Sequence, residues 1–122
     1  MPRKKKKFLS THQTALSAYR IMWIFVFFDL PTETSELRKE YTLFRKKLLK
    51  DGFQMQQFSV YRRFCGSREN ADVHIRRVRK AVPPEGMVSI LLVTDKQFGE
   101  MINIVGAKRQ PPPKPPQQLT LL

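Results

Sequence analysis

The stretch Ile21-Met22-Trp23-Ile24-Phe25-Val26-Phe27-Phe28, closed by Asp29-Leu30-Pro31, decides how the rest of the chain is read. Eight consecutive apolar residues, rich in β-branched and aromatic types and ended by an acid and a proline, fit a strand buried on both faces better than a helix. The run is too short to cross a bilayer. A strand this apolar lies inside its sheet and must be covered, and the segments that follow are the natural cover. Asp29 then stands at the carboxyl end of the central strand, where α/β sheets tend to place working residues.

Downstream, Thr32 or Thr34 can cap a helix that carries Glu33 and Glu36 at its start and Arg45, Lys46, Lys47 and Lys50 at its end. Acids first and bases last complement the helix dipole. Leu37, Tyr41, Phe44 and Leu48 form one apolar stripe, and Asp51-Gly52 stops the helix. From Phe53 to Phe64 the pattern alternates, with Phe53 and Met55 on odd positions but Phe58, Val60 and Phe64 on even ones. A parity change near Gln56-Gln57 predicts a bulge or tight turn between two short strands, 53–56 and 58–64. Gly66 to Asn70 supplies a loop and caps for a second helix near 70–82, with Ala71, Ile75, Val78 and Val82 inward and Pro83-Pro84-Glu85-Gly86 as its stop. Met87 to Thr94 reads as a further apolar strand, Asp95 to Gly99 as a polar connection, and Met101 to Val105 as a final short strand. The order strand, helix, two strands, helix, strand is the split βαβ, ferredoxin-like plan: an α+β fold with an antiparallel sheet and two helices on one face. Its other face stays open, as a dimer interface or a nucleic-acid platform.

With 122 residues the chain has enough for one core and not for two. Three segments result: a basic arm at 1–20, the domain at 21–105, and a tail at 106–122 with five prolines and then Leu119-Thr120-Leu121-Leu122. That apolar end on a stiff spacer is expected to add as an edge strand to a partner's sheet through Leu119, Leu121 and Leu122; the bland reading is a disordered end. Of 23 Lys and Arg, six lie in the arm and three after Val105, so 14 bases face all 10 acids in the domain. The net charge of +13 is therefore mostly in the tails and points to a polyanionic partner, DNA or RNA ahead of a membrane surface. A run that only aids solubility is the alternative. The first 28 residues hold no acid, but a transit or signal peptide is rejected, because its removal would take the best strand. Cys65 is the single cysteine, which excludes an intramolecular disulfide and fits a reducing cytoplasm.

No His pair, Cys-His set, phosphate-binding glycine loop or nucleophile elbow is present. His12 lies in the arm, and His74 reads as a surface residue of the second helix. The carboxylates remain: Asp29 after the first strand and Asp95 after Met87 to Thr94. A hard ion such as Mg²⁺ needs few carboxylates, and a two-fold dimer would supply two copies of Asp29 to activate water against a phosphodiester. An aspartate that only ends a strand and bonds the next turn is an equally good reading of the sequence.

Phe25-Val26-Phe27-Phe28-Asp29-Leu30-Pro31, then Lys50-Asp51-Gly52-Phe53, Gln57-Phe58-Ser59-Val60-Tyr61-Arg62-Arg63-Phe64 and Val93-Thr94-Asp95-Lys96-Gln97-Phe98-Gly99, closely resemble the second universal Cas family. These are the small CRISPR-associated endoribonucleases, and the likeness is to the branch found in type II systems and covers residues 21–105. The resemblance implies a ferredoxin-like homodimer that joins the adaptation integrase and helps insert foreign double-stranded DNA as new spacers. It also implies a Mg²⁺-dependent nuclease on RNA or double-stranded DNA, with Asp29 as metal ligand and catalytic residue. On the scaffold reading, Lys46, Lys47, Lys50, Arg62, Arg63, Arg76 and Arg77 are the expected phosphate contacts. The competing readings are a toxin-like nuclease without a scaffold role, and a basic ribosome-associated protein that leaves Asp29 unexplained.

Overall fold

The computed structural model describes residues 20–106. The expected arm and proline-rich tail, with Leu119, Leu121 and Leu122, lie outside the described residues apart from Arg20 and Gly106. The chain runs β1 (Met22–Asp29), α1 (Ser35–Lys50), β2 (Gln54–Gln57), β3 (Val60–Cys65), α2 (Arg68–Ala81), β4 (Met87–Thr94) and α3 (Asp95–Gly99). The sheet order is β2-β3-β1-β4, and every pairing is antiparallel. This is the split βαβ plan, with β1 in the interior as its apolar run requires.

The pleat divides β1 in two. Met22, Ile24, Val26 and Phe28 join Phe44 and Leu48 of α1, Ala71 and Val78 of α2, and Tyr61 and Cys65 of β3 in one buried cluster, so both helices cover the same face. Phe28 meets Phe44 edge to face at 5.1 Å and Tyr41 at 5.7 Å. Each such buried side chain contributes about 1.5–3 kcal/mol. Trp23, Phe25, Phe27 and Asp29 take the other face, alongside Val93, Leu91, Ser89 and Met87 of β4 in register.

Helix α1 is capped by Thr34, whose hydroxyl accepts from the Leu37 amide at 3.1 Å. It ends where Gly52, at φ 91°, lets the Phe53 amide donate back to the Leu48 carbonyl. Helix α2 starts two residues before the expected boundary because the Ser67 hydroxyl caps the Asn70 amide. The parity change is a register shift between Met55 and Gln57, followed by a turn with Ser59 at φ 63°.

Four expectations are corrected. Phe58 sits in that turn, 86% exposed, and Val60 and Phe64 lie on the open face, while Tyr61 and Cys65 fill the inner positions because they register with Val26 and Met22. Val82 is not inward but exposed, since α2 ends at Ala81. Asp95 to Gly99 is a helical turn rather than a plain connection: Thr94 caps the Gln97 amide and the Gln97 side chain accepts from the Thr94 amide. Met101 to Val105 is not a strand, because no strand of the described residues pairs with it; Ile102 and Ile104 are 84% and 77% exposed.

Candidate nucleic-acid interface and carboxylate site

Asp29 is exposed at the end of β1, opposite Met87. Its backbone is pressed against the turn before β4: Gly86 has φ 102°, and a side chain there would meet the Asp29 carbonyl at 2.8 Å and Leu30 at 2.7 Å. Among the described residues nothing ion-pairs with the Asp29 carboxylate. No group of three or more His, Cys, Asp or Glu among them is placed to hold a metal. At the end of β1 each chain therefore offers the single, unpaired carboxylate of Asp29, a donor suited to a hard ion that takes its remaining oxygens from water and phosphate, and unsuited to zinc.

The expected phosphate contacts divide into two groups. Lys46, Lys47, Lys50, Arg76 and Arg77 are all exposed on the helix layer. Lys47, Lys50 and Arg77 rim a groove of about 360 Å³ between α1 and α2, floored by Leu48, Val78 and Ala81. Arg62 and Arg63 point to opposite faces of β3 and are already engaged. Arg63 donates from Nε to the Asp51 carbonyl and from Nη1 to the Phe64 carbonyl, both at 2.7 Å. Arg62 lies on the open face with its guanidinium 5.8 Å from the Phe98 ring. It donates to Gln56 at 2.8 Å and Gln54 at 3.4 Å, and its Nε is buried without an acceptor. Burial pulls its pKa below the ordinary arginine value.

Asp51 and His74 were not foreseen as a pair, and His74 is not the surface residue expected: it is 5% exposed. Its Nδ1 donates to Asp51 Oδ2 at 2.7 Å, and Arg77 Nη1 donates to Asp51 Oδ1 at 2.7 Å. Burial works against ionisation of Asp51, but the His74 hydrogen bond, then that of Arg77 and the charges of both, hold its carboxyl below its ordinary value of 3.8. Folding thus lowers its affinity for protons. The stability this cluster confers is complete above pH 3.8 and drains away as pH falls through the lower folded-state value. Asp51→Ala is expected to cost about 2–3 kcal/mol at neutral pH. It is also expected to flatten the acid limb of stability against pH, which urea unfolding at a series of pH values reads directly.

On the open face, α3 folds back so that Phe98 stacks on Trp23 at 3.8 Å and 9°, and Asp95 Oδ1 accepts from the Trp23 indole at 2.7 Å. Beside it runs an apolar groove of about 280 Å³ that includes Phe25, Phe27, Leu91, Val93, Phe98 and Met101. Asn103 Oδ1 accepts from Gln56 at 3.2 Å, which lays the segment after α3 beside β2. No helix of the described residues is long and apolar enough to cross a membrane.

Comparison with known proteins identifies the family. The family model described as CRISPR associated protein Cas2 matches residues 22–101. A protein of Flavobacterium psychrophilum is 56% identical over 110 residues, covering 90% of this chain and 96% of its own. One from Parvibaculum lavamentivorans is 53% identical over 100 residues, covering 82% and 99%, and one from Paracidovorax avenae 49% over 106 residues, covering 87% and 98%. All three carry the name CRISPR-associated endoribonuclease Cas2. With identity this high across nearly the whole of each relative, and the matched region coinciding with the folded sheet and helices, the chain belongs to the CRISPR-associated Cas2 family.

Proposed function

We propose that this chain acts in CRISPR adaptation as a homodimeric scaffold that binds double-stranded DNA and joins the adaptation integrase, with Asp29 as an ancillary Mg²⁺-dependent nuclease site. The observation that carries the reading is the separation of surfaces. Lys46, Lys47, Lys50, Arg76 and Arg77 are exposed on the helix layer, and an apolar groove lies on the opposite face of the sheet. Two copies packed open face to open face would bury the grooves and present two cationic layers outward. Such layers hold phosphates without reading bases. Outside the described residues, Leu119, Leu121 and Leu122 are proposed to pair with a sheet edge of the integrase.

For the nuclease side, the endoribonuclease name of the relatives and the unpaired carboxylate support a role for Asp29 on RNA, and duplex DNA is the second substrate to assay. Asp29 would hold the ion with one carboxylate per chain. When bound, Mg²⁺ supplies charge neutralisation at the phosphodiester and a more acidic water. The chain's own part is to fix Asp29 at the strand end through the tight Gly86 approach and leave it open to the substrate.

The test is Asp29→Asn. Mg²⁺-dependent cleavage is expected to fall to background, while dimerisation, duplex binding and integration with the partner integrase persist. Integration lost in a variant that folds and dimerises normally would overturn the scaffold reading. Cleavage retained would remove Asp29 from the nuclease site.

A further inference from the structure

At the end of the molecule where β1 finishes, acids outnumber the bases Arg38 and Lys39 of the first turns of α1. Asp29, Glu33, Glu36, Glu40 and Glu85 gather around the β1 terminus, the start of α1 and the turn before β4, half of the 10 acids in a chain of net charge +13. All five are exposed. The described ion pairs engage Asp51, Asp72 and Glu100, and none of these five. Glu33 and Glu36 suit the positive end of α1, but that does not account for Glu40 or Glu85. Glu36 and Glu40 are one turn apart on α1, where like charges repel.

Three of the five rim an apolar groove. Leu30, Pro31, Leu37, Pro83 and Pro84 line a depression of about 190 Å³, with Glu36, Glu40 and Glu85 at its edge. An apolar floor under a carboxylate rim is complementary to a lysine or arginine, whose stem is apolar and whose head is charged.

The chain carries such cations itself in Arg3-Lys4-Lys5-Lys6-Lys7. Lys7 is joined to Arg20 by a stretch that spans up to roughly 45 Å when extended. The eight residues of β1 cover roughly 27 Å from the point where that stretch enters the domain to the groove. The segment therefore reaches the groove of its own chain.

We infer that the groove of Leu30, Pro31, Leu37, Pro83 and Pro84, rimmed by Glu36, Glu40 and Glu85, is the resting seat of the chain's own Arg3–Lys7 segment, which leaves it when a duplex binds. The release step rests on the duplex-binding reading; the docking does not. Seated, the segment is neutralised and withheld from weak polyanions. A duplex offers a denser row of charges and displaces the carboxylates, so the groove raises the threshold for non-specific association.

Zero-length carbodiimide cross-linking of the full chain tests the seat, with ¹⁴N- and ¹⁵N-labelled protein mixed. The expected peptides join Lys4 to Lys7 with Glu36, Glu40 or Glu85 within one isotope, and they disappear when duplex is added. Cross-links that fall equally on Glu69 and Asp72, or that join the two isotopes, would overturn it. A coupling measurement tests the consequence. Neutralising the rim with Glu36→Gln, Glu40→Gln and Glu85→Gln is expected to tighten duplex binding about tenfold in the parent chain. In a chain whose Lys4 to Lys7 are Gln, the gain should be under about twofold. Equal gains in both would reduce the rim to a long-range field and overturn the proposal. Because the cross-link needs no DNA, an absent seat and an absent duplex affinity are read separately.

Discussion

Replacing Lys46, Lys47, Lys50 and Arg76 together by glutamine is expected to reduce the salt slope of duplex binding by about 3 to 4 in log K against log salt. Each neutralised phosphate releases condensed counterions and adds about 0.9 to that slope. Between 50 and 200 mM salt the parent should then lose about a hundredfold more affinity than the variant. These four are chosen because all are exposed and no described partner holds their charges. Stability should be nearly unchanged, since surface substitutions of this kind stay within about 0.5 kcal/mol. Arg62, Arg63 and Arg77 would confuse the result. Arg63→Gln removes a donor from the Asp51 carbonyl, Arg77→Gln one from its carboxylate, and Arg62→Gln disturbs the open face. A variant that keeps the parent's slope, measured by fluorescence anisotropy, would move the DNA off the helix layer.

The contrast between those two groups of bases marks where sequence reading ends. The apolar run at β1 exposes the fold because its length and composition favour an interior strand over a helix, and the stripe of Leu37, Tyr41, Phe44 and Leu48 then has one sheet face to cover. The place of Asp29 at the end of that strand was legible for the same reason. Arg62 and Arg63 look alike in sequence, yet the pleat sends them to opposite faces, and the register with Phe25 and Ile24 that decides which is which is a long-range fact. His74 was partly legible: it falls three residues after Ala71 and four before Val78, on the buried stripe. Its partner Asp51 caps the end of another helix, 23 residues away in sequence, so nothing local announces that a polar residue there is satisfied. The helical turn at Asp95 is too short for periodicity, but Thr94 and Gln97 are spaced as a capping box, which was the available signal. Met101 to Val105 has a strand's composition without a strand's partner, and composition cannot show that absence.

That short helical turn bears on the second large effect, at Trp23. Its indole is 3% exposed on the face away from α1 and α2, so α3 supplies its cover. Trp23→Ala should cost about 3–5 kcal/mol, as for other large aromatic deletions, because it removes the stacking surface for Phe98 and strands the Asp95 carboxylate together. Trp23→Phe keeps a ring under Phe98 and loses the hydrogen bond and part of the buried indole area, at about 1–2 kcal/mol. Urea unfolding separates the two, and amide exchange from Lys96 to Glu100 locates the loss: protection should vanish in the alanine variant and persist in the phenylalanine one. The consequence extends to the proposed dimer. Phe98 is shared between the Trp23 stack and the groove with Phe25, Phe27 and Met101. If that groove is the face two copies share, Trp23→Ala should sediment as a folded monomer at concentrations where Trp23→Phe remains a dimer. An alanine variant that loses its α3 protection and still dimerises with unchanged affinity would place the dimer contact elsewhere, since a face stripped of Phe98 cannot bury the same apolar area.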